Sequence, residues 1–250
     1  MGTMKFLEKD AREITHEFQK FINEEVRKYW IGEGHSGSDH PCDSYEEYYL
    51  KIRGETSVLI TAPHAVPHDR GKDKLKEQDD DTDLLAVEIC KELNCAGLIP
   101  LRPLADPNNL HTLKRANNSP TWKSTREVKF FLAAEQMIKE ERVKFLVDLH
   151  GITDNHLDDL VIGDAGVKNE HRWAHELKAH LIENGYKVGI NTTRTPEGRE
   201  RILSGGDFVR NVSIPALQLE IKAEYRSCSK IHELSGHLVH FLRRKTEELR

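Results

Sequence analysis

Ser57-Val58-Leu59-Ile60-Thr61-Ala62-Pro63-His64 is the stretch whose reading decides the fold. It reads as a buried strand that stops at a proline, a residue unable to donate to a sheet ladder, and so delivers a histidine at the strand's end. Two later stretches answer it. Phe145-Leu146-Val147-Asp148-Leu149-His150-Gly151 is a second apolar run ending on a histidine. Ile214-Pro215-Ala216-Leu217-Gln218-Leu219-Glu220-Ile221 is a third, with one acidic residue inside it. Near-continuous apolar runs belong to strands covered on both faces, as in parallel sheets.

Working outward, helical patterns separate the strands. From Phe6 to Tyr29, the residues Ile14, Phe18, Phe21, Ile22 and Val26 fall at helical spacing. Residues 32–44 read as loop, and the aromatic Tyr45–Tyr49 stretch reads as an edge strand. After the Val58–Thr61 strand, His68–Asp81 is polar and reads as a surface loop. Thr82–Leu93 is a helix with Leu85, Ile89 and Leu93 on one face, preceded by aspartates that suit a helix N-terminus. Gly97–Leu101 is a short strand, and Ala105–Lys123 is a loop long enough to be functional. Ser124-Thr125-Arg126-Glu127 fits a capping box for a helix carrying Val128, Phe131, Leu132 and Ile138. Leu160–Ile162 and Lys187–Ile190 are strands around a helix through Ala174, Leu177, Leu181 and Ile182 that ends at Asn184-Gly185. Thr193–Gly206 is a polar loop, and Ile231, Leu234, Leu238, Phe241 and Leu242 mark a closing helix. With no repeat or linker, the pattern predicts one α/β domain over residues 1–250, its largely parallel sheet held between helices.

At 250 residues the chain can bury a sizeable core. A net charge of −5 without a basic block gives no support to nucleic-acid binding. No apolar run approaches a membrane span, and the N-terminus lacks the apolar segment of a secretory signal. Cys42, Cys90, Cys95 and Cys228 form no CxxC pair, which points to reduced thiols and a cytoplasmic protein. Cys90, on the Thr82–Leu93 helix, is expected to serve packing.

His64 and His150 sit at strand ends, where open α/β sheets collect their ligands. Neutral imidazole is the commonest zinc ligand, and a catalytic zinc takes three protein ligands and a water. A lone strand-end histidine is usually structural, so the pair needs further support. Asp148 shares a strand face with His150 and could orient it. A third ligand belongs near the start of the helix after His64, in the cluster Asp79-Asp80-Asp81 or at Asp83, and spacing leaves the choice among them open. Glu220 is flanked by Leu219 and Ile221. Such a glutamate is either a structural ion-pair partner or a general base tuned by burial.

These residues resemble N-formylglutamate amidohydrolase-like proteins. Pro63-His64, the run Asp79-Asp80-Asp81-Thr82-Asp83-Leu84-Leu85-Ala86, Asp106-Pro107-Asn108, Asp148-Leu149-His150-Gly151 and Gln218-Leu219-Glu220-Ile221 follow that family's order, over roughly Val58 to Arg226. The resemblance implies a zinc-carboxypeptidase-like and aspartoacylase-like fold with a mixed sheet and one zinc ion. It implies His64, His150 and Asp79 as metal ligands, with Asp80 or Asp81 as register alternatives, and Glu220 as the catalytic glutamate. By loop position, Arg194 and Asn108 are candidates for gripping a substrate carboxylate, with Arg199 and Lys123 as further cations. The chain departs from the family in reading His64-Ala65-Val66 in place of His-Ser-Gly, and Asp106-Pro107-Asn108-Asn109 in place of Asp-Leu-Asn-Arg.

The implied activity is hydrolysis of an amide or formamide bond of a small N-acyl amino acid by metal-activated water, with Glu220 moving the proton. Other divalent metals fit similar ligands. A carboxypeptidase or other deacylase of the same fold, and a non-catalytic metal- or ligand-binding protein, are the alternatives. Homo-oligomerisation is left open.

Overall fold

The computed structural model describes residues 4–27, 48–69, 76–102, 104–105, 128–165, 168–203, 205–227 and 229–249. Asn108, Lys123 and the expected capping box lie outside them. In chain order the elements begin with β1 (Lys5–Asp10), α1 (His16–Arg27), β2 (Tyr48–Arg53), β3 (Thr56–Thr61) and β4 (His68–Asp69). There follow α2 (Thr82–Leu93), β5 (Cys95–Pro100), β6 (Leu104–Ala105), α3 (Lys129–Glu140), β7 (Phe145–Ile152), β8 (Leu160–Gly163) and α4 (Lys168–Glu183). The last are β9 (Val188–Ile190), β10 (Thr192–Arg194), β11 (Glu200–Ile202), α5 (Asp207–Asn211), β12 (Ala216–Lys222), α6 (Ala223–Arg226) and α7 (Ile231–Glu248).

Eight strands form one mixed sheet in the order β1-β2-β5-β3-β7-β12-β8-β9. Its centre, β5-β3-β7-β12, is parallel throughout. The antiparallel pairings are β2 with β5 and β12 with β8. Helices flank both faces, and strand alternation identifies which. On β2, Tyr49 packs edge-on against Phe130 of α3. Ile52, of opposite parity, faces the side where Cys90 of α2 approaches Gly97. Leu59, Leu149 and Leu219 are fully buried, each worth about 1.5–3 kcal/mol of transfer free energy. No helix among the described residues is long and apolar enough to cross a membrane.

Most strands and helices stand where the sequence places them, including the Thr82–Leu93 helix and its buried Cys90. Four expectations need correction. The Phe6–Tyr29 helix begins only at His16, because Lys5–Asp10 is a strand pairing in parallel with β2. β2 is therefore an inner strand, not an edge. His68, read as the start of a surface loop, is fully buried. The polar Thr193–Gly206 stretch contains the antiparallel β10–β11 ribbon.

Gly97 lies in β5 under α2, and a Cβ there would come within 2.6 Å of Cys90 Sγ and 3.2 Å of Ile52 Cδ1. The absence of a side chain lets the helix seat against the sheet. Gly97→Ala is expected to lower unfolding free energy by about 1–3 kcal/mol, the usual cost of overpacking, with an unchanged urea m-value. Wild-type stability in that variant would contradict the close approach.

Candidate metal centre

Parallel register builds the site. Thr61 pairs with Asp148, Asp148 with Gln218, and His150 with Glu220. Side chains two residues apart share a face, so Asp148 and His150 on β7 stand beside Gln218 and Glu220 on β12. Val147, Leu149, Leu217, Leu219 and Ile221 fill the opposite face and are buried. One strip of polar residues thus emerges at the carboxyl ends of the central strands, where ligands of open α/β sheets bind.

His64 follows β3, and the carbonyl of His64 accepts the backbone N–H of Asp79 at 2.7 Å. Asp79 is fixed from the other side by Thr82, whose hydroxyl donates to the Asp79 carbonyl at 2.8 Å. Its carboxylate therefore faces the histidines. His64 Nδ1 and His150 Nδ1 lie 3.0 Å apart, and Asp79 Oδ2 lies 3.4 Å and 3.7 Å from them. A tetrahedral ion about 2.1 Å from each ligand sets ligand atoms roughly 3.4 Å apart. Two imidazole nitrogens and a carboxylate oxygen at this spacing could hold a divalent metal ion.

The surroundings hold the three in place. His150 Nε2 lies 2.7 Å from Asp148 Oδ2, and the Thr61 hydroxyl donates to Asp148 Oδ1 at 2.6 Å. With the Nε2 proton given to Asp148, His150 Nδ1 presents a lone pair to the centre. The His64 ring stacks on buried His68 with centroids 3.8 Å apart. The Gly151 backbone N–H donates to Asp79 Oδ2 at 3.0 Å. Glu220 Oε1 accepts from Gln218 Nε2 at 2.7 Å, and Gln218 Oε1 accepts the backbone N–H of Gly206 at 2.6 Å.

The electrostatics favour a cation. Burial alone would raise the Asp79 carboxyl, but hydrogen bonding and charge from His150 and His64 hold it well below the usual range. Burial opposes protonation of His150, yet Asp148, Asp79 and Glu220 outweigh it and raise the ring well above an ordinary histidine. Burial raises Glu220, with Asp79 adding to the effect, against the pull of His150 and Gln218. Three carboxylates converging on two imidazoles create a demand for positive charge.

The other aspartates of the cluster go elsewhere. Exposed Asp80 accepts from Gln78 Nε2. Asp81 has φ 60° and lies 3.8 Å from Arg27. Asp83 is buried in the first turn of α2, with neither carboxylate oxygen hydrogen-bonded. Arg194 is exposed on the β10–β11 ribbon.

A cavity of about 550 Å³ opens beside the centre, lined among others by Asp79, Gly151, Asp154, Glu220 and Arg226. Arg194 is not among its described lining residues. Arg226, like Gln218, belongs to the site without being singled out by the sequence. Its segment, Lys222-Ala223-Glu224-Tyr225-Arg226, is polar, and only the burial of Arg226 singles it out.

No protein-family model and no curated protein matches the chain. Solved structures do. The gene product Atu2144 from Agrobacterium tumefaciens is 11% identical with a TM-score of 0.54, over 90% of this chain and 100% of that one. A bacteriophage poly-gamma-glutamate hydrolase is 13% identical with a TM-score of 0.50, over 81% and 91%. A metallo-carboxypeptidase from Burkholderia cenocepacia is 10% identical with a TM-score of 0.48, over 95% and 70%. At these identities the first two, with TM-scores of 0.50 or more, show a likeness of fold alone.

Asp148→Asn should leave the fold intact and weaken zinc affinity by roughly 10- to 100-fold, as loss of a ligand-orienting carboxylate does, measured by competition with a chromophoric chelator. Undiminished affinity would remove Asp148 from its orienting role.

Asp83 gives a second prediction. Burial pushes its carboxyl up to about 7; the nearby backbone N–H groups of Leu84 and Asp83 offset this only in part, and Asp81 adds to the rise. An unfolded aspartate titrates near 3.9, so between that pH and about 7 the folded chain binds the extra proton and stability falls as pH rises. Asp83→Asn should therefore be more stabilising, relative to wild type, at pH 8 than at pH 4, by at most about 4 kcal/mol. Equal effects at both pH values in urea melts would contradict this.

Proposed function

We propose that the chain is a metal-dependent amidohydrolase that cleaves an amide or formamide bond of a small N-acyl amino acid, N-formylglutamate-like, with one zinc ion held by His64, Asp79 and His150. The observation that carries the reading is the pairing of His150 with Glu220 on adjacent strands, which sets an acid group beside the two-histidine, one-carboxylate triangle at the edge of a cavity. A fold also used by a poly-gamma-glutamate hydrolase supports a hydrolytic role. The motif order shared with N-formylglutamate amidohydrolases supports the substrate.

When bound, the ion supplies an acidified water and a Lewis acid. Glu220 takes the proton of the attacking water and carries it to the nitrogen of the leaving amine. Its raised affinity for a proton, produced by burial, suits both halves of that transfer. Gln218, anchored on the Gly206 backbone, donates to Glu220 Oε1 and fixes the carboxylate's orientation. Asp148 and Thr61 hold the His150 ring through the cycle. A purely ligand-binding centre has no use for a buried proton carrier at this position.

Glu220→Gln should keep its metal while losing most hydrolysis, about 10²-fold or more in kcat if the proton transfer is limiting. His150→Ala should lose the metal itself. Elemental analysis and turnover of N-formyl and N-acetyl amino acids read both. Metal loss in the glutamine variant, or undiminished turnover, would remove Glu220 from the role of base.

A further inference from the structure

Arg226 carries a charge in an unusual place. The residue is 4% exposed and lines the cavity beside Asp79, Gly151 and Glu220. Its Nε donates to the carbonyl of Ile221 at 3.1 Å, which fixes the plane of the guanidinium. Its Nη2 lies against Gly151, where a Cβ would come within 2.6 Å of it and 3.0 Å of Asp79 Cβ. A glycine follows His150 because the guanidinium and the ligand aspartate occupy the space a side chain would need. Yet Nη1 is buried without a hydrogen-bond partner, and among the described residues Arg226 forms no ion pair. Asp79, Asp80, Asp81 and Asp154 act on it only through space.

Burying a guanidinium without a hydrogen-bonded counter-charge is costly, and such a group is normally paired. A fixed guanidinium with an unused N–H edge at a substrate cavity is suited to a planar anion, since its fork matches a carboxylate. We propose that Arg226 is the anchor for the substrate's α-carboxylate, the one carried on the carbon next to the scissile amide nitrogen. The anchor deepens the amidohydrolase reading and rests on it for the position of the scissile bond. It comes from the element that follows β12, so Glu220 and the anchor are set by one continuous segment: the strand places the proton carrier, and the last residue of α6 supplies the cation. Arg226, and neither Arg194 nor Asn108, then takes the acid-binding role.

The test uses two probes of equal charge and composition, N-formyl-L-glutamine, which keeps the α-carboxylate, and N-formyl-L-isoglutamine, in which that group is the carboxamide. Titration calorimetry is run on zinc-loaded protein carrying Glu220→Gln to suppress turnover, with and without Arg226→Gln or Arg226→Lys. With Arg226 present, the α-carboxylate probe should bind roughly 10- to 100-fold more tightly, the range for a hydrogen bond to a charged group. Arg226→Gln should bring the ratio close to one, and Arg226→Lys should retain part of it. Thermal melts and zinc content establish that the variants are folded and loaded. A purely structural arginine would weaken both probes alike and leave the ratio unchanged, which overturns the proposal. So does a ratio near one, or no binding of either probe, with Arg226 intact in the folded, zinc-loaded Glu220→Gln protein, a result that does not depend on any Arg226 variant folding. Turnover by protein with native Glu220 is measured separately. Discrimination between the probes without hydrolysis of any N-acyl amino acid would keep the anchor and reject the amidohydrolase reading.

Discussion

Parallel register between three central strands is the constraint on which the rest depends. Strand alternation allows only every second residue onto the site face. Because β3, β7 and β12 run the same way and pair without offset at Thr61, Asp148 and Gln218, their polar residues form rows across the sheet. The first row is a hydrogen-bonded base, with Thr61 donating to Asp148. The second row, His150 beside Glu220, stands one step nearer the strand ends and meets the cavity. A slip of one residue would send the whole set into the apolar layer and bring Val147, Leu149, Leu217 and Leu219 to the water side. Burial of those leucines and the valine is therefore what holds the acid and the imidazole in register.

Asp79 joins this rigid strip to the connection that follows β3. One carboxylate oxygen meets the Gly151 amide and both histidines, while its own backbone is tied to His64 and Thr82. Such a crowded oxygen is tolerable because hydrogen bonds and positive charge favour its ionised form more than burial opposes it. Asp83, four residues on, lacks these partners and shows the opposite result in nearly the same surroundings. Sequence proximity within one acidic cluster says little about the state of each acid; the number of donors aimed at it decides.

Legibility in the sequence followed the strength of the apolar signal. Val58–Thr61, Phe145–Leu149 and Ala216–Ile221 were readable because strands buried on both faces carry few polar residues. The polar exceptions, Asp148, His150 and Glu220, stood out against that background. β1 was hidden because Lys5-Phe6-Leu7-Glu8-Lys9-Asp10 is an edge strand with four charged residues, running almost directly into a helical pattern. Gln218 alternates with Glu220, but an uncharged amide in an apolar strand is a weak sign. Arg226 gave no sign at all. Arginine in a polar segment is normally solvated, and nothing local reveals that Gly151, 75 positions earlier, has left room for it. Pairing between distant segments decides such a residue's role, and single-sequence patterns do not contain that information.

The separation of the ligands has a consequence for the life of the chain. His64, just past β3, and His150, on β7, are 86 residues apart and are brought together only when the sheet closes. An unfolded polypeptide therefore offers no ready-made pocket for an ion, and any occupancy of the candidate centre is tied to completion of the domain. By mass action, an ion at a thousand times its dissociation constant deepens the native well by about 4 kcal/mol, a large share of the 5–15 kcal/mol typical of whole domains. With an ion at this centre, the supply of divalent metal in the chain's surroundings would then govern how long the folded molecule persists.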